Sequence, residues 1–126
     1  MKPILTVLFN NNPELEYDRN KPLPDHQALY LDKMDEKMNK GISIGDEQIE
    51  NPDAGQRAQF VAANLAHALQ SGHEAVMASL CTYLAMRMPD LLQLRIQSKD
   101  DGMEIDFDYE QAYVKEVLVA PPTRLN

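Results

Sequence analysis

Residues 91–110 read LLQLRIQSKDDGMEIDFDYE and contain two stretches in which apolar and polar residues alternate. Alternation with a period of two is typical of a strand that has one buried face and one solvated face. Between the two stretches stands Asp101-Gly102, the preferred pair for the type I′ turn of a β-hairpin. We therefore predict a hairpin with Leu91–Ser98 and Met103–Tyr109 as its strands.

Taking Asp101 and Gly102 as the loop sets the register of this hairpin. The inner pairs are then Ile96 with Phe107 and Leu94 with Tyr109, and the outer pairs are Lys99 with Glu104, Gln97 with Asp106, Arg95 with Asp108 and Gln93 with Glu110. Apolar partners and opposite charges both fall into place, which supports the turn assignment.

The second strand of the hairpin carries a row of carboxylates. The run from Asp100 to Glu110 contains six acidic residues and no basic one, in a chain whose net charge is −8. The outward members are Glu104, Asp106, Asp108 and Glu110. They are the candidate binding site for a basic protein partner. The alternative is a solvated face whose charges protect the sheet from edge-to-edge pairing. Carboxylates spaced along one strand lie too far apart to share one metal ion.

The N-terminal half contains a second strand signal followed by a polar segment. Ile4–Phe9 is a continuous apolar run, which predicts a strand buried on both faces and central in its sheet. Residues 10–25 are rich in Asn, Pro and charged residues and predict a long surface loop. A loop of that length is usually either functional or mobile. Residues 42–50 are predicted to be a second connector.

Three helices are predicted between the strand signals. The first helix is capped by Asp25, carries Leu31, Met34 and Met38 on its apolar side and ends at Gly41. The second starts at Asn51-Pro52-Asp53 and ends at Ser71-Gly72. The third starts at a capping box formed by Ser71 and Glu74 and ends at Pro89. The short joint between the last two helices predicts an antiparallel helical hairpin. The third helix is the most apolar and is expected to be the most buried.

The C-terminal residues are ambiguous. Residues 110–119 suit a helix capped by Asp108 or Gln111, although Val114 and Val117 also suit a strand. Residues 120–126 are expected to form a short polar tail. Together these patterns predict a single α+β domain over residues 1–126. We expect a small antiparallel or mixed sheet, formed by the N-terminal strand and the acidic hairpin, packed against the helical hairpin and a further short helix.

The third helix places three soft metal ligands on one side, at spacings of four. His73, Met77 and Cys81 are residue types that bind Cu(I) or zinc, but Met and Cys are also ordinary core residues, and the core interpretation is favoured. Cys81 with His67 or His73 could form a nucleophile and a base, but this requires an exposed thiol. No zinc, phosphate-loop or nucleophile-elbow motif occurs in the sequence.

Composition excludes several classes of protein. The basic residues are scattered singly, so the sequence lacks the positive stripe that direct nucleic-acid binding requires. It has no apolar run of the length needed to span a membrane. One cysteine cannot form an intramolecular disulfide, and a reducing compartment, the cytoplasm, is the expected location.

Two functional hypotheses follow from the sequence. The first is a small cytoplasmic interaction or regulatory module that binds a protein partner through the carboxylate face, the loop at residues 10–25, or both. The second is a small enzyme or a binder of small ligands or metals, with its site near the helical hairpin at His67, His73 and Cys81. Under the first hypothesis we expect the protein to have no catalytic activity. We expect it to bind no cofactor. A homodimer is compatible with either hypothesis.

Overall fold

The computed structural model describes residues 1–114, and the fold of this part is α+β, as the sequence predicts. The elements are β1 (Ile4–Phe9), β2 (Asn12–Asp18), α1 (Asp25–Asn39), β3 (Ile42–Ile44), β4 (Glu47–Ile49), α2 (Ala54–Ser71), α3 (Glu74–Arg87), β5 (Gln93–Lys99) and β6 (Gly102–Asp108). Residues 111–114 form neither helix nor strand. The rest of the segment at 110–119, for which a helix or a strand is predicted, and the tail at 120–126 lie outside the described residues.

Four of the strands form a mixed sheet in the order β2-β1-β5-β6. β1 is antiparallel to β2 and parallel to β5, and β6 is antiparallel to β5. The N-terminal strand is therefore central, as predicted. Its Val7 side chain is fully buried on one side and its Leu8 side chain is 5% exposed on the other, which explains the continuous apolar run.

The prediction of a long loop at residues 10–25 is wrong, because Asn12–Asp18 within it form strand β2. Asn10 and Asn11 form the turn between β1 and β2, with φ values of 49° and 70°. Asparagine tolerates this left-handed region, and a type I′ turn needs it at both central positions. The alternation of carboxylates with Leu15 and Tyr17 was the overlooked strand signal, hidden by the Asn- and Pro-rich composition around it.

The second predicted connector also contains strands. β3 and β4 form a separate two-stranded hairpin, in which Ile44 pairs with Glu47 across Gly45-Asp46. Gly45 has a φ of +60° and occupies the first loop position, where type II′ turns place glycine. Ile42 is 4% exposed and joins the core.

The three predicted helices are present, but their caps differ from the predicted ones. α1 has Pro24 rather than Asp25 at its N-cap. α2 is capped by Asp53 rather than Asn51: the Gln56 N–H donates to Asp53 Oδ1 at 2.8 Å, and the Gln56 side chain accepts from the Asp53 N–H at 2.9 Å. This reciprocal capping box places the start of the helix two residues later than predicted.

The joint between α2 and α3 is as short as predicted but is built differently. Gly72 ends α2 in the left-handed conformation, with a φ of 74°. The Ser71 hydroxyl donates to the His67 carbonyl at 2.9 Å, so Ser71 does not cap α3, and His73 occupies the N-cap. The burial of α3 is uneven, because its first turn is exposed, with Val76 49% exposed, whereas its second half contains the buried residues Cys81, Tyr83, Leu84 and Ala85.

The hydrophobic core lies between the helices and one face of the four-stranded sheet, which we call the inner face. The inner face carries Leu5, Val7, Leu94 and Ile96, all fully buried. Leu65 of α2 and Leu84 of α3 are fully buried against the same core. The opposite side of the sheet, which carries Arg95, is the outer face. Among the described residues, no helix is long and apolar enough to cross a membrane.

The acidic hairpin is present in a register shifted by two residues from the predicted one. Lys99 pairs with Gly102, so the loop is Asp100-Asp101, and Gly102, with a φ of +141°, follows it. The observed pairs include Leu94 with Phe107, Ile96 with Ile105, Arg95 with Asp106, Gln97 with Glu104 and Gln93 with Asp108. A shift of two keeps every side chain on its predicted face but changes its partner.

Candidate functional site

The carboxylate row of β6 lies on the outer face of the sheet, with Glu104 and Asp106 exposed. The intervening residues Met103, Ile105 and Phe107 lie on the inner face and are half-buried. Glu110 does not belong to the row, because β6 ends at Asp108 and Glu110 lies beyond the strand. Tyr109, predicted to pair with Leu94, is also beyond the strand and is 44% exposed.

Arg95 binds two members of the row at once. Its Nη1 donates to Asp108 Oδ2 at 2.9 Å, and its Nη2 donates to Asp106 Oδ2. In the predicted register Arg95 pairs with Asp108 alone. In the observed register Arg95 lies opposite Asp106 and is within reach of both Asp106 and Asp108. Within residues 1–114, Glu104 forms no salt bridge, because Lys99 lies opposite Gly102 instead.

Asp108 has a structural task in addition to its ion pair. Its Oδ1 accepts hydrogen bonds from the backbone N–H groups of Glu110, at 2.8 Å, and Gln111, at 3.0 Å. These bonds and the Arg95 guanidinium, which has the largest effect, lower the pKa of Asp108 to about 2. The Asp108 side chain is 13% exposed, whereas that of Asp106 is 59% exposed. Asp108 therefore fastens the chain where it leaves β6, and Asp106 and Glu104 are the accessible carboxylates.

The opposite edge of the sheet also carries carboxylates on the outer face. Thr6 pairs with Gln93 on one side and with Glu16 on the other, so Glu16 shares a face with Gln93 and hence with Arg95. Asp18 follows two residues later on the same face. The outer face is thus bordered by acidic side chains along both edges. The prediction of a loop at residues 10–25 concealed this second row.

The chain after β6 turns back across the outer face. The Gln93 Nε2 donates to the Gln111 carbonyl at 2.7 Å, above the middle of the sheet. Tyr113 lines a surface cavity of about 250 Å³ with residues of β2, among them Pro13 and Glu16. Residues 111–113 therefore pass from β5 towards β2 and cover part of the face between the two acidic rows.

Arg19 follows β2 directly and is a buried cation whose acceptors within residues 1–114 are all backbone carbonyls. Arg19 is 6% exposed, and its guanidinium donates hydrogen bonds to four oxygens. The acceptors are Ala85 at 2.9 Å, Pro3 at 3.0 Å, Met88 at 3.0 Å and Leu91 at 2.6 Å. Two of these carbonyls, those of Ala85 and Met88, lie at the C-terminal end of α3, the negative end of the helix dipole. Burial lowers the pKa of Arg19, and its role is to join β2 to α3 and to the start of β5.

A second polar cluster joins the three helices. Asp35 of α1 accepts hydrogen bonds from the Tyr83 hydroxyl, from Arg57 Nη1 at 3.1 Å and from Arg87 Nε at 2.9 Å. Arg87 also donates to Asp32 at 2.9 Å. Burial by itself would raise the pKa of Asp35, but these hydrogen bonds outweigh it and the pKa is lowered. The cluster lines a surface cavity of about 280 Å³.

The polar groups of this cluster satisfy one another, which points to a structural role. Tyr83 is 2% exposed and its pKa is raised, chiefly by burial, so its hydroxyl stays protonated as a donor to Asp35. Two arginines and two aspartates balance in charge, and the cluster holds α1 onto the helical hairpin. No sequence pattern signals it, because its members come from three separate helices.

The residues predicted for metal binding or nucleophilic chemistry have different environments. His67 and His73 are exposed, Met77 is half-buried, and Cys81 is 3% exposed. Burial raises the pKa of the Cys81 thiol to about 12, so the thiolate needed for nucleophilic attack is not formed at neutral pH. Within residues 1–114, no group of three or more His, Cys, Asp or Glu side chains is placed to hold a metal ion.

Comparison with known proteins adds no assignment. The chain matches no protein-family model, no curated protein and no solved structure. The geometry of the outer face therefore has to support a functional proposal without analogy.

Proposed function

We propose that the protein is an interaction module that binds a basic segment of a partner protein through the carboxylates of β6, with Glu104 and Asp106 as the principal contacts. The observation that carries this proposal is the incomplete neutralisation of the row. One guanidinium, that of Arg95, serves two of the three carboxylates on the strand, and Glu104 has no salt bridge within the described residues.

The charge of the whole chain supports the same proposal. The net charge is −8, and the second acidic row on β2 adds Glu16 and Asp18 to the same face of the sheet. A surface with one sign of charge accelerates the encounter with an oppositely charged partner, and the acceleration weakens as salt screens it. Glu104 and Asp106 are positioned to act on the association rate in this way. A reducing compartment, the cytoplasm, is the proposed location, since the chain has a single cysteine.

The proposal is tested by removing the two accessible charges and leaving Asp108 in place. The partner is first identified as a protein that co-purifies in stoichiometric amount from the native host. The association rate constants of wild type and of Glu104→Gln/Asp106→Asn are then measured with that partner at low and at physiological ionic strength. We expect the double variant to associate several-fold more slowly at low salt and to show a flatter dependence on salt.

The matched control is Glu47→Gln/Glu50→Gln, which changes the net charge by the same amount on the separate β3–β4 hairpin and just beyond it. It should associate at nearly the wild-type rate, because its charges lie outside the four-stranded sheet. Equal rates for all three proteins at both salt concentrations would contradict the proposal. A thermal-shift screen that finds a stabilising metabolite, with no co-purifying partner, would favour the small-ligand hypothesis instead.

A further inference from the structure

The hydrogen-bonding pattern of the sheet shows which backbone groups of β6 point outward. The Thr6 N–H donates to the Leu92 carbonyl and the Asn10 N–H donates to the Ile96 carbonyl, so within β5 the backbone groups of Leu94 and Ile96 are directed towards β1. The N–H of Leu92, which precedes β5, donates to the Asp108 carbonyl instead. The odd-numbered residues of β5 therefore face β6, where they pair with Glu104, Asp106 and Asp108. On the other side of β6, the N–H and C=O groups of Met103, Ile105 and Phe107 point away from the sheet.

These outward backbone groups belong to the residues that form an apolar ledge. Met103, Ile105 and Phe107 lie on the inner face, but they are only half-buried, because no further strand lies beside them among the described residues. No hydrogen bond from residues 1–114 reaches their backbone groups on this side. Unpaired backbone groups and adjoining apolar side chains are what an added strand can use.

We propose that β6 is extended by an antiparallel strand from the partner protein, with basic and apolar side chains in alternation. Its basic residues would lie beside Glu104 and Asp106 on the outer face, and its apolar residues would continue the ledge on the inner face. The inference rests on the proposed function and specifies its geometry. Cross-strand pairs of opposite charge and of apolar side chains both stabilise such an arrangement.

Charge decides against a second copy of this chain as the added strand. Two copies of β6 paired side by side would bring Glu104, Asp106 and Asp108 of both chains onto one face. Like charges directly opposite each other on paired strands are destabilising, and Arg95 is already shared between two carboxylates. A basic strand meets complementary charges at the same positions.

The first test uses a synthetic peptide of seven residues, the length of β6, in which lysine and valine alternate from a lysine at each end. Directly opposite residues share a face, so in an antiparallel complex the three valines lie opposite Met103, Ile105 and Phe107 and exchange backbone hydrogen bonds with them. The lysine N–H groups point to solvent. N-methylation of the valines therefore removes the pairing donors, whereas N-methylation of three lysines removes none.

We expect the valine-methylated peptide to bind at least about tenfold more weakly than the parent peptide, from the loss of three hydrogen bonds. The lysine-methylated peptide should bind within about twofold of the parent. Affinities are measured by fluorescence anisotropy at low salt. The pairing is overturned if the two methylated peptides bind alike or if none of the peptides binds, and the reverse order overturns the antiparallel orientation.

The second test changes the protein. Ile105→Pro removes an N–H that makes no hydrogen bond within the described residues, a position at which an edge strand tolerates proline. Ile105→Ala is the control for the lost side chain and keeps the N–H. The expected result is peptide affinity at least about fivefold weaker for Ile105→Pro than for Ile105→Ala, with both variants folded by circular dichroism. Equal affinities overturn the pairing.

The two proposals fail in different ways. Binding that is lost in Glu104→Gln/Asp106→Asn but is indifferent to N-methylation overturns the strand pairing and leaves the charge-based function standing. Binding that depends on N-methylation but is unchanged in that double variant supports the pairing and removes the role of the two carboxylates.

Discussion

The two edge strands of the sheet, β2 and β6, resemble each other in sequence but are protected by different means. Both alternate carboxylates with apolar residues, and both pair antiparallel with an interior strand. β2 contains Pro13, which has no N–H to offer, and its register with β1 shifts between Val7 and Leu8. β6 pairs with β5 over seven residues without a shift and contains no proline.

The difference shows that the first part of β2 is interrupted as an edge by its backbone, whereas β6 is protected only by its charge. Proline and a bulge remove pairing groups for any incoming strand, whereas carboxylates repel an acidic strand and would lose hydration against an apolar one. Under the proposed strand addition, the charge on β6 opposes pairing with a second β6 and leaves the edge open to a basic strand. The ends of the two edges are also fastened differently, by the buried Arg19 on β2 and by the largely covered Asp108 on β6.

The largest effect is expected from breaking the anchor of β2. Arg19→Met removes a cation that serves four backbone carbonyls and leaves several of them buried without a donor. We expect the free energy of unfolding to fall by about 3 kcal/mol, as measured by denaturant unfolding. Arg19→Lys should recover only part of this loss, since an ammonium cannot reach all four oxygens. A loss below about 1 kcal/mol in Arg19→Met would show that β2 is held mainly by other contacts.

A smaller effect is expected at the turn that leads into β6. Gly102 has a φ of +141°, which a β-branched residue adopts only with strain. Gly102→Val should lower the free energy of unfolding by about 1–2 kcal/mol. Asp101→Asn, at an exposed loop position without a positive φ, is the control and should change it by less than about 0.5 kcal/mol. Equal denaturant midpoints for the two variants would place the turn elsewhere.

The anchor of β6 should show a pH dependence that follows from Asp108. Its pKa is lowered to about 2, so the ionised carboxylate stabilises the folded state above the ordinary aspartate pKa of about 4. This contribution is lost as the pH falls from about 4 towards 2. The denaturant midpoint of wild type should therefore exceed that of Asp108→Asn above about pH 5, and the two should converge near pH 2.

Asp106→Asn is the control for this measurement. It removes the other carboxylate bound by Arg95 but no backbone hydrogen bond, so its midpoint should stay closer to that of wild type throughout. A constant gap between wild type and Asp108→Asn across the pH range would show that ionisation of Asp108 does not contribute to stability.

The smallest effect on stability is expected from the accessible carboxylates of β6. Glu104→Gln/Asp106→Asn removes one surface ion pair and two charges of the same sign, two effects that oppose each other. The free energy of unfolding should stay within about 0.5 kcal/mol of wild type. Arg95→Gln, which leaves the carboxylates unpaired, should lower it more. A clear loss of unfolding free energy in the double variant would mean that Glu104 and Asp106 stabilise the hairpin rather than form a partner-binding surface.

Much of the fold was predictable because periodicity reports burial directly. The central position of β1, the three helices and the two faces of the acidic hairpin all follow from the spacing of apolar residues. The two hairpins absent from the prediction have turn signals, Asn10-Asn11 and Gly45-Asp46, but the polar composition of the surrounding segments is typical of loops and conceals them. The register of the acidic hairpin depends on which two residues form its loop. Asp-Gly is the preferred pair, but the observed loop is Asp100-Asp101.

The candidate site was predictable in its residue types but not in its connections. Alternation identified Glu104 and Asp106 as outward, and this needs only the period of the strand. The sharing of Arg95 depends on the register, and a shift of two residues changes its partners. The Arg19 contacts join residues up to 72 positions apart, and no local pattern encodes such a pairing.

The parallel pairing of β1 with β5 has a consequence for synthesis of the chain. β1 can pair with β2 as soon as the N-terminal hairpin is made, but its other edge pairs with residues 93–96. At a synthesis rate of 5–20 residues per second, those residues follow roughly 4–17 s later. During that interval β1, the most apolar strand among residues 1–114, has one open edge, so the N-terminal segment of the nascent chain is where misassembly would start.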